Sequence, residues 1–271
     1  MRRRALTAVL ALAFALALLP AVACGTGGEA DGSASRSAEA SPSTPSSASS
    51  SAPAGDGPVI VVDPGHNGAN GVHPDEIGRP VDAGGFQKPC NTTGTATADG
   101  TTESSINWAV AQLVRDRLEA AGARVVLTRT DDAGVGPCVD ERGRMAAAAG
   151  ADALVSIHAD GAPPTARGFH VIHPGHRPGY TDDTVGPSAE LAATVRDALV
   201  GAGFAPAGYV GGGGLVQRDD LGTLNWAGVP AVMVEAGNLA NAEDAAALTS
   251  PDGQDRLAGA LADAALAFAR S

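Results

Sequence analysis

Four side chains able to do chemistry sit at the ends of structured runs. His66 closes VIVVDPGH, His158 closes ALVSIH, Glu235 closes PAVMVE, and Glu103 stands in DGTTESSIN at the start of a helical stretch. Two imidazoles and a carboxylate form a donor set that zinc accepts while keeping a fourth position for water. Zinc lowers the pKa of such a water to about 7. A second carboxylate beside the site can then act as general base and afterwards as acid toward a leaving amine. Each residue also has a plainer role when taken alone. A histidine after a strand can be a hydrogen-bonded turn residue. Glu103 could cap its helix, where a carboxylate meets free N–H groups and the positive dipole end. Glu235 could neutralise an arginine such as Arg142. Asp63 either orients an imidazole or forms the turn before Pro64.

The elements that must bring these residues together are apolar strands alternating with amphipathic helices. Residues 59–62, 124–129, 153–157, 168–173 and 230–235 read as strands. Residues 105–122, 141–150, 188–203 and roughly 252–270 read as helices; in the first, Ile106, Val110, Leu113 and Leu118 make one face and Gly122 is a stop signal. Near-continuous apolar strands with intervening helices predict an α/β fold: a single domain with a twisted, mostly parallel sheet and helices on both faces. In such sheets ligands gather beyond the carboxyl ends of the strands. His66, His158 and Glu235 all end strands, so the predicted site is that rim, with one Zn2+ per chain.

The 271-residue chain is not all fold. A basic start and an apolar run ending in Ala21-Val22-Ala23 read as a signal peptide over residues 1–23. Cys24 follows directly, resembling the lipidated cysteine of a bacterial lipobox. Residues 24–57 are rich in Ser, Ala, Gly and Pro and read as a flexible tether, leaving 58–271 for the folded domain. The expected location is outside the cytoplasmic membrane, as a lipoprotein or in the wall space; full secretion is the alternative. The net charge of −12 and a single lysine, Lys88, argue against nucleic acid, whose binding rests on basic side chains. With Cys24 set aside, Cys90 and Cys138 are expected to pair in an oxidising compartment. A monomer is expected.

Five ordered stretches carry a resemblance: VVDPGHNG, the helix start at Glu103, VVLTRTDD, ERGRMAAAAGADALVSIHADG and GVPAVMVEAGNLAN. Together they closely resemble the zinc-dependent N-acetylmuramoyl-L-alanine amidases of the type-3 amidase family, over essentially all of 58–271. The resemblance implies that His66, Glu103 and His158 bind zinc and that Glu235 is the catalytic acid and base. It implies hydrolysis of the amide between the lactyl group of N-acetylmuramic acid and the L-alanine of the stem peptide. The chain departs from the family pattern at Ser104, Asp160 and 236–238, which bears on substrate subsites rather than on the reaction.

Peptidoglycan or a soluble muropeptide is the expected partner. A zinc peptidase or carboxypeptidase acting on wall peptides, and a non-catalytic wall-binding lipoprotein, are the alternatives. Arg142, Arg218 and Asn225 are candidates to meet the carboxylates or sugar of a wall fragment. The Gly/Thr/Asp-rich stretch between His66 and Glu103 is expected to form a cleft wall or lid tethered by Cys90 and Cys138, with no amphipathic helix to block the site. His73 lies in the loop, and His170, His173 and His176, clustered around a strand end and turn, lack an acidic residue spaced to complete a second metal site.

Overall fold

The structure, a computed structural model, describes residues 57–271; the expected signal peptide, Cys24 and the tether up to residue 56 lie outside the described residues. Strand β1 (Val59–Pro64) shows why the domain is layered. Ile60 and Val62 face one apolar cluster and Val61 the other, so the strand is covered on both sides and must be apolar throughout. After it come the short helix α1 (Pro74–Gly78) and a small antiparallel pair, β2 (Pro80–Asp82) and β3 (Gln87–Pro89). The long helix α2 (Glu103–Ala120) then leads into β4 (Arg124–Leu127). Helix α3 (Val139–Ala149), strands β5 (Ala153–Asp160) and β6 (His170–Pro174), and helix α4 (Val185–Gly201) follow. The chain finishes with β7 (Leu215–Arg218), α5 (Gly222–Asn225), β8 (Ala231–Asn238), α6 (Ala242–Thr249) and α7 (Pro251–Ala269).

Six strands form one sheet in the order β4-β1-β5-β8-β6-β7. Every neighbouring pair is parallel except β6 with β8, which is antiparallel. Helices α2, α4, α6 and α7 bury Val110, Leu191, Leu248 and Leu257 against one face in the larger core. Helices α3 and α5 cover part of the other face through Ala146 and Leu224. The expected single α/β domain with a mostly parallel sheet is what the chain forms. The pieces the sequence reading did not anticipate are short: β2, β3, β7, α1 and α5 are each three to five residues long, and α6 has eight.

Where α2 begins matters for the site. Its N-cap is Thr102, whose hydroxyl accepts the Ser105 N–H at 3.4 Å. Thr102 therefore does the capping, and the Glu103 carboxylate, in the first turn, is free for other work. Cys90 and Cys138 form a disulfide that ties the stretch after β3 to the start of α3.

Candidate metal centre

The sheet register sets out the site in rows. Asp63, Ser156, Met233 and Ile172 are successive cross-strand partners on β1, β5, β8 and β6. Two residues further along, His158, Glu235 and His170 make the next row. Met233, Ile172, Leu154 and Val61 share the smaller apolar cluster, so both rows face the side carrying α3 and α5. Strand periodicity of two thus sends His158 and Glu235 to the same face.

His66 joins them from a turn. It has φ 60°, in the left-handed region that a histidine rarely occupies without a structural reason. Gly65 precedes it because the His158 imidazole lies against its Cα; a Cβ there would collide with the ring. Gly94, at φ 76°, is similarly constrained, since a Cβ would sit 2.8 Å from Glu103 Oε2 and 2.9 Å from His66 Cδ2.

Ligand atoms from His66, Glu103 and His158 all lie within 4.8 Å of one another, and among the described residues this is the group of three His, Cys, Asp or Glu that comes so close. His66 Nε2 is 3.1 Å from Glu103 Oε1, and His158 Nδ1 is 3.0 Å from the same oxygen. The other nitrogen of His66, Nδ1, donates to the Thr92 carbonyl at 3.0 Å, which leaves Nε2 as the electron-pair donor toward the cluster. Glu103 also accepts backbone N–H groups from Thr95 at 2.9 Å and Ala159 at 3.1 Å. Burial alone would raise the Glu103 carboxyl, but hydrogen bonds with His158 and His66 hold it well below the ordinary carboxylate range. Two imidazoles and an ionised carboxylate, one ring oriented by a carbonyl, suit a borderline cation such as zinc.

Two buried arginines brace the turn. Arg142 Nη1 pairs with Asp63 at 2.7 Å and donates to the Pro64 carbonyl at 2.8 Å, while Nη2 reaches the His66 carbonyl at 2.6 Å. Its remaining donors meet Gly136 and Pro137 carbonyls at 3.0 and 2.9 Å. Arg129 donates to the Pro64 carbonyl at 2.9 Å and to the Ser104 carbonyl at 2.8 Å, linking the His66 turn to the helix start that carries Glu103. Asp63 is further held by Thr128 at 2.5 Å and Ser156 at 2.6 Å. Burial works against its charge, yet Arg142 and the two hydroxyls bring its pKa down to about 2.

These contacts correct four sequence readings. Arg142 is no candidate to meet substrate, because its guanidinium is buried and consumed by Asp63 and four carbonyls. For the same reason it is not a counter-ion for Glu235. Asp63 does not orient an imidazole; it anchors Arg142, and His66 Nδ1 is taken by Thr92. Asn225 is also turned inward, its amide donating to Ala83 and Asp219 carbonyls at 2.7 and 2.9 Å. Arg218 is half-exposed and bound to Asp220 through Nε and Nη2, both at 2.8 Å.

The three candidate ligands line a cavity of about 400 Å³ together with Glu235. Residues 88–95 form one wall, so the stretch tethered by Cys90 does border the cleft. Lys88 contributes to that wall and is held by the Asp220 carboxylate at 2.9 Å. Glu235 differs from its neighbours: its Oε2 is buried with no partner. Burial, reinforced by the charges of Glu103 and Asp160, raises its pKa well above the ordinary carboxylate range. Sequence reasoning missed Lys88, Arg129 and Tyr209, whose hydroxyl donates to Asp160 at 2.9 Å on the same rim. The isolation of Lys88 in an acidic chain was the one available signal.

A mostly parallel sheet with His, Glu and His gathered at its carboxyl-end rim and a buried glutamate beside them is the architecture of a hydrolase with a candidate metal site. Residues 60–267 match the Amidase_3 family, described as N-acetylmuramoyl-L-alanine amidase. The chain belongs to this family. It is 43% identical over 206 residues to the N-acetylmuramoyl-L-alanine amidase Rv3717 of Mycobacterium tuberculosis, covering 76% of this chain and 83% of that one. The crystal structure of the amidase Ami1 from Mycobacterium smegmatis superposes with a TM-score of 0.74 at 44% identity, covering 79% of this chain and 97% of that one. The apo form of Ami1 from Mycobacterium abscessus gives 0.74 at 42% identity, covering 78% and 98%.

Proposed function

We propose that this protein hydrolyses the amide joining the lactyl group of N-acetylmuramic acid to the L-alanine of the peptidoglycan stem peptide, with zinc held by His66, Glu103 and His158. The observation that carries the reading is the convergence of those three donors on one cavity with the unpartnered Glu235 carboxyl. The donor set fits zinc in type and number and leaves room for a further ligand. A zinc ion there would supply Lewis-acid polarisation of the scissile carbonyl and an acidified water. Glu235 accepts a proton from the attacking water and returns it to the departing amine, so that water and amide become a carboxylic acid and a free L-alanine amine. Its raised pKa suits the second half of that cycle, when the proton must be held until the C–N bond breaks.

The reading extends to location. The N-terminal apolar run supports export, with Cys24 as a lipid attachment point, and the Cys90 to Cys138 disulfide suits an oxidising compartment. Peptidoglycan lies on that side of the membrane. We infer a monomer with one zinc.

The test incubates the protein with a defined muramoyl-pentapeptide, with zinc, with a chelator and as Glu235→Gln, and follows products by mass spectrometry. The expected products are the muramic acid and a peptide with a free L-alanine amine, lost with chelator and reduced about 10²–10⁴-fold in the variant. Cleavage within the stem peptide would replace the amidase by a peptidase. Zinc binding without any cleavage would leave a wall-binding protein.

A further inference from the structure

The row His158–Glu235–His170 contains one residue that the proposed reaction does not use. His170 is the antiparallel cross-strand partner of Glu235, with Val171 opposite Val234 and Ile172 opposite Met233. Directly opposed residues on antiparallel strands project to the same face with Cβ atoms about 4.5–5.5 Å apart. The core assignments agree, since Ile172 and Met233 share the smaller cluster while Val171 and Val234 share the larger one. His170 therefore stands beside Glu235 on the cavity side of the sheet.

Two unpartnered atoms belong to this row. His170 is 5% exposed and its Nδ1 is buried without a partner; Glu235 Oε2 is buried without a partner as well. Leaving either unsatisfied is costly, and one is an acceptor where the other can be a donor. The imidazole also has an aromatic neighbour. The Tyr209 ring meets it edge-on with centroids 6.2 Å apart, and the Tyr209 hydroxyl is anchored to Asp160 at 2.9 Å. Burial lowers the pKa of His170, with Asp160 opposing and Arg218 adding to the shift, which keeps the ring neutral and supports a single N–H.

We propose that His170 is a positioning residue for Glu235: its ring, protonated at Nδ1, hydrogen-bonds Glu235 Oε2 through one bridging water, leaving the other carboxylate oxygen to face the reacting water. This deepens the amidase reading and rests on it for the identity of the reacting water. The interaction between the two side chains does not rest on it.

The experiment compares His170→Phe, which keeps a ring without a donor, with His170→Asn, whose side-chain amide reproduces the Nδ1 position. For muramoyl-peptide cleavage, His170→Phe is expected to lose about tenfold to a hundredfold in kcat, as for a misplaced catalytic group. KM, zinc content and melting temperature should stay at the native values, and His170→Asn should recover most of the rate. Nitrogen-15 NMR of histidine-labelled full-length protein supplies a readout independent of turnover. The His170 resonances, identified by their loss in the Phe variant or their replacement in the Asn variant, should report an Nδ1–H tautomer that shifts in Glu235→Gln. Native kcat in the Phe variant, equal losses in both variants, or a resonance indifferent to Glu235→Gln would each overturn the proposal. If the native protein cuts no muramoyl amide, the amidase reading fails while the NMR arm still decides the pairing. If the Phe variant does not fold, the Asn variant and the NMR arm decide it.

Discussion

The two halves of the cavity are built on opposite rules. On the side of β1, polar atoms are heavily paired: Asp63 takes Arg142, Thr128 and Ser156, Arg142 takes Asp63 and four carbonyls, and both Glu103 oxygens accept backbone N–H groups. On the side of β6, Glu235 Oε2 and His170 Nδ1 are buried and unpaired. The difference follows from the task each side would perform. Three donors must be held in one geometry before any cation arrives, so the left-handed turn at His66 needs a satisfied frame around it. A proton carrier must instead keep acceptor capacity in reserve and a pKa that ionises reluctantly. Hydrogen bonds are concentrated around the candidate ligands and sparse at the candidate proton carrier.

The strongest way to break the contrast is to remove Arg142. Arg142→Met leaves Asp63 buried and uncompensated, and loss of one partner from such a pair destabilises by about 3–5 kcal/mol. Urea unfolding of the metal-free protein should register that loss, and zinc affinity measured by chelator competition should fall with it. The double variant Asp63→Asn, Arg142→Met sharpens the point. If the ion pair alone mattered, the double variant would recover stability; because four carbonyls also lose their donor, it is expected to stay close to the single variant.

A smaller effect belongs to acid. The Asp63 pKa falls from 3.8 to about 2 on folding. A depressed carboxylate contributes stability that is present above its unfolded pKa and lost as pH falls through the folded value. The contribution is roughly 2 kcal/mol, complete near neutrality and draining away between about pH 4 and pH 2. In Asp63→Asn that portion of the acid dependence should vanish, as read from unfolding free energies against pH. An unchanged acid limb would mean that Asp63 does not anchor the frame.

Much of the paired side was legible in the sequence, and the unpaired side much less so. Strands covered on both faces must be apolar, so VIVV and PAVMV announce themselves, and the residues that end them become conspicuous. Glu103 was legible as a candidate ligand or a helix cap; that Thr102 does the capping depends on which hydroxyl meets the first N–H groups. Arg142 was misjudged because an arginine in an exposed-looking helical pattern gives no sign that carbonyls from 64, 66, 136 and 137 will surround it. His170 was dismissed for want of an acidic residue at metal-ligand spacing. Its neighbour Glu235 is 65 positions away and becomes adjacent only because β6 runs antiparallel to β8, a direction that local patterning does not encode. Interactions within an element can be read from the chain; those across a register cannot.

The least disruptive test approaches the comparison from the unpaired side. A carboxylate whose folded pKa is raised binds more protons in the native state than in the unfolded one, so its presence lowers stability as pH rises. Glu235 is in that position, pushed up by burial and by the charges of Glu103 and Asp160. Glu235→Gln keeps the shape and removes the charge. In metal-free protein it is expected to raise the melting temperature at neutral pH by a few degrees, the shift that about 1 kcal/mol produces in a domain of this size. The gain should shrink toward zero as pH falls below the ordinary glutamate pKa of about 4.5, where the carboxyl is protonated in the folded and the unfolded chain alike. The same change on the paired side, Glu103→Gln, should do the reverse, because that carboxylate is stabilised rather than strained by its surroundings. Opposite signs for two glutamates facing one cavity would establish that stability is given up at the proton carrier and kept at the metal frame.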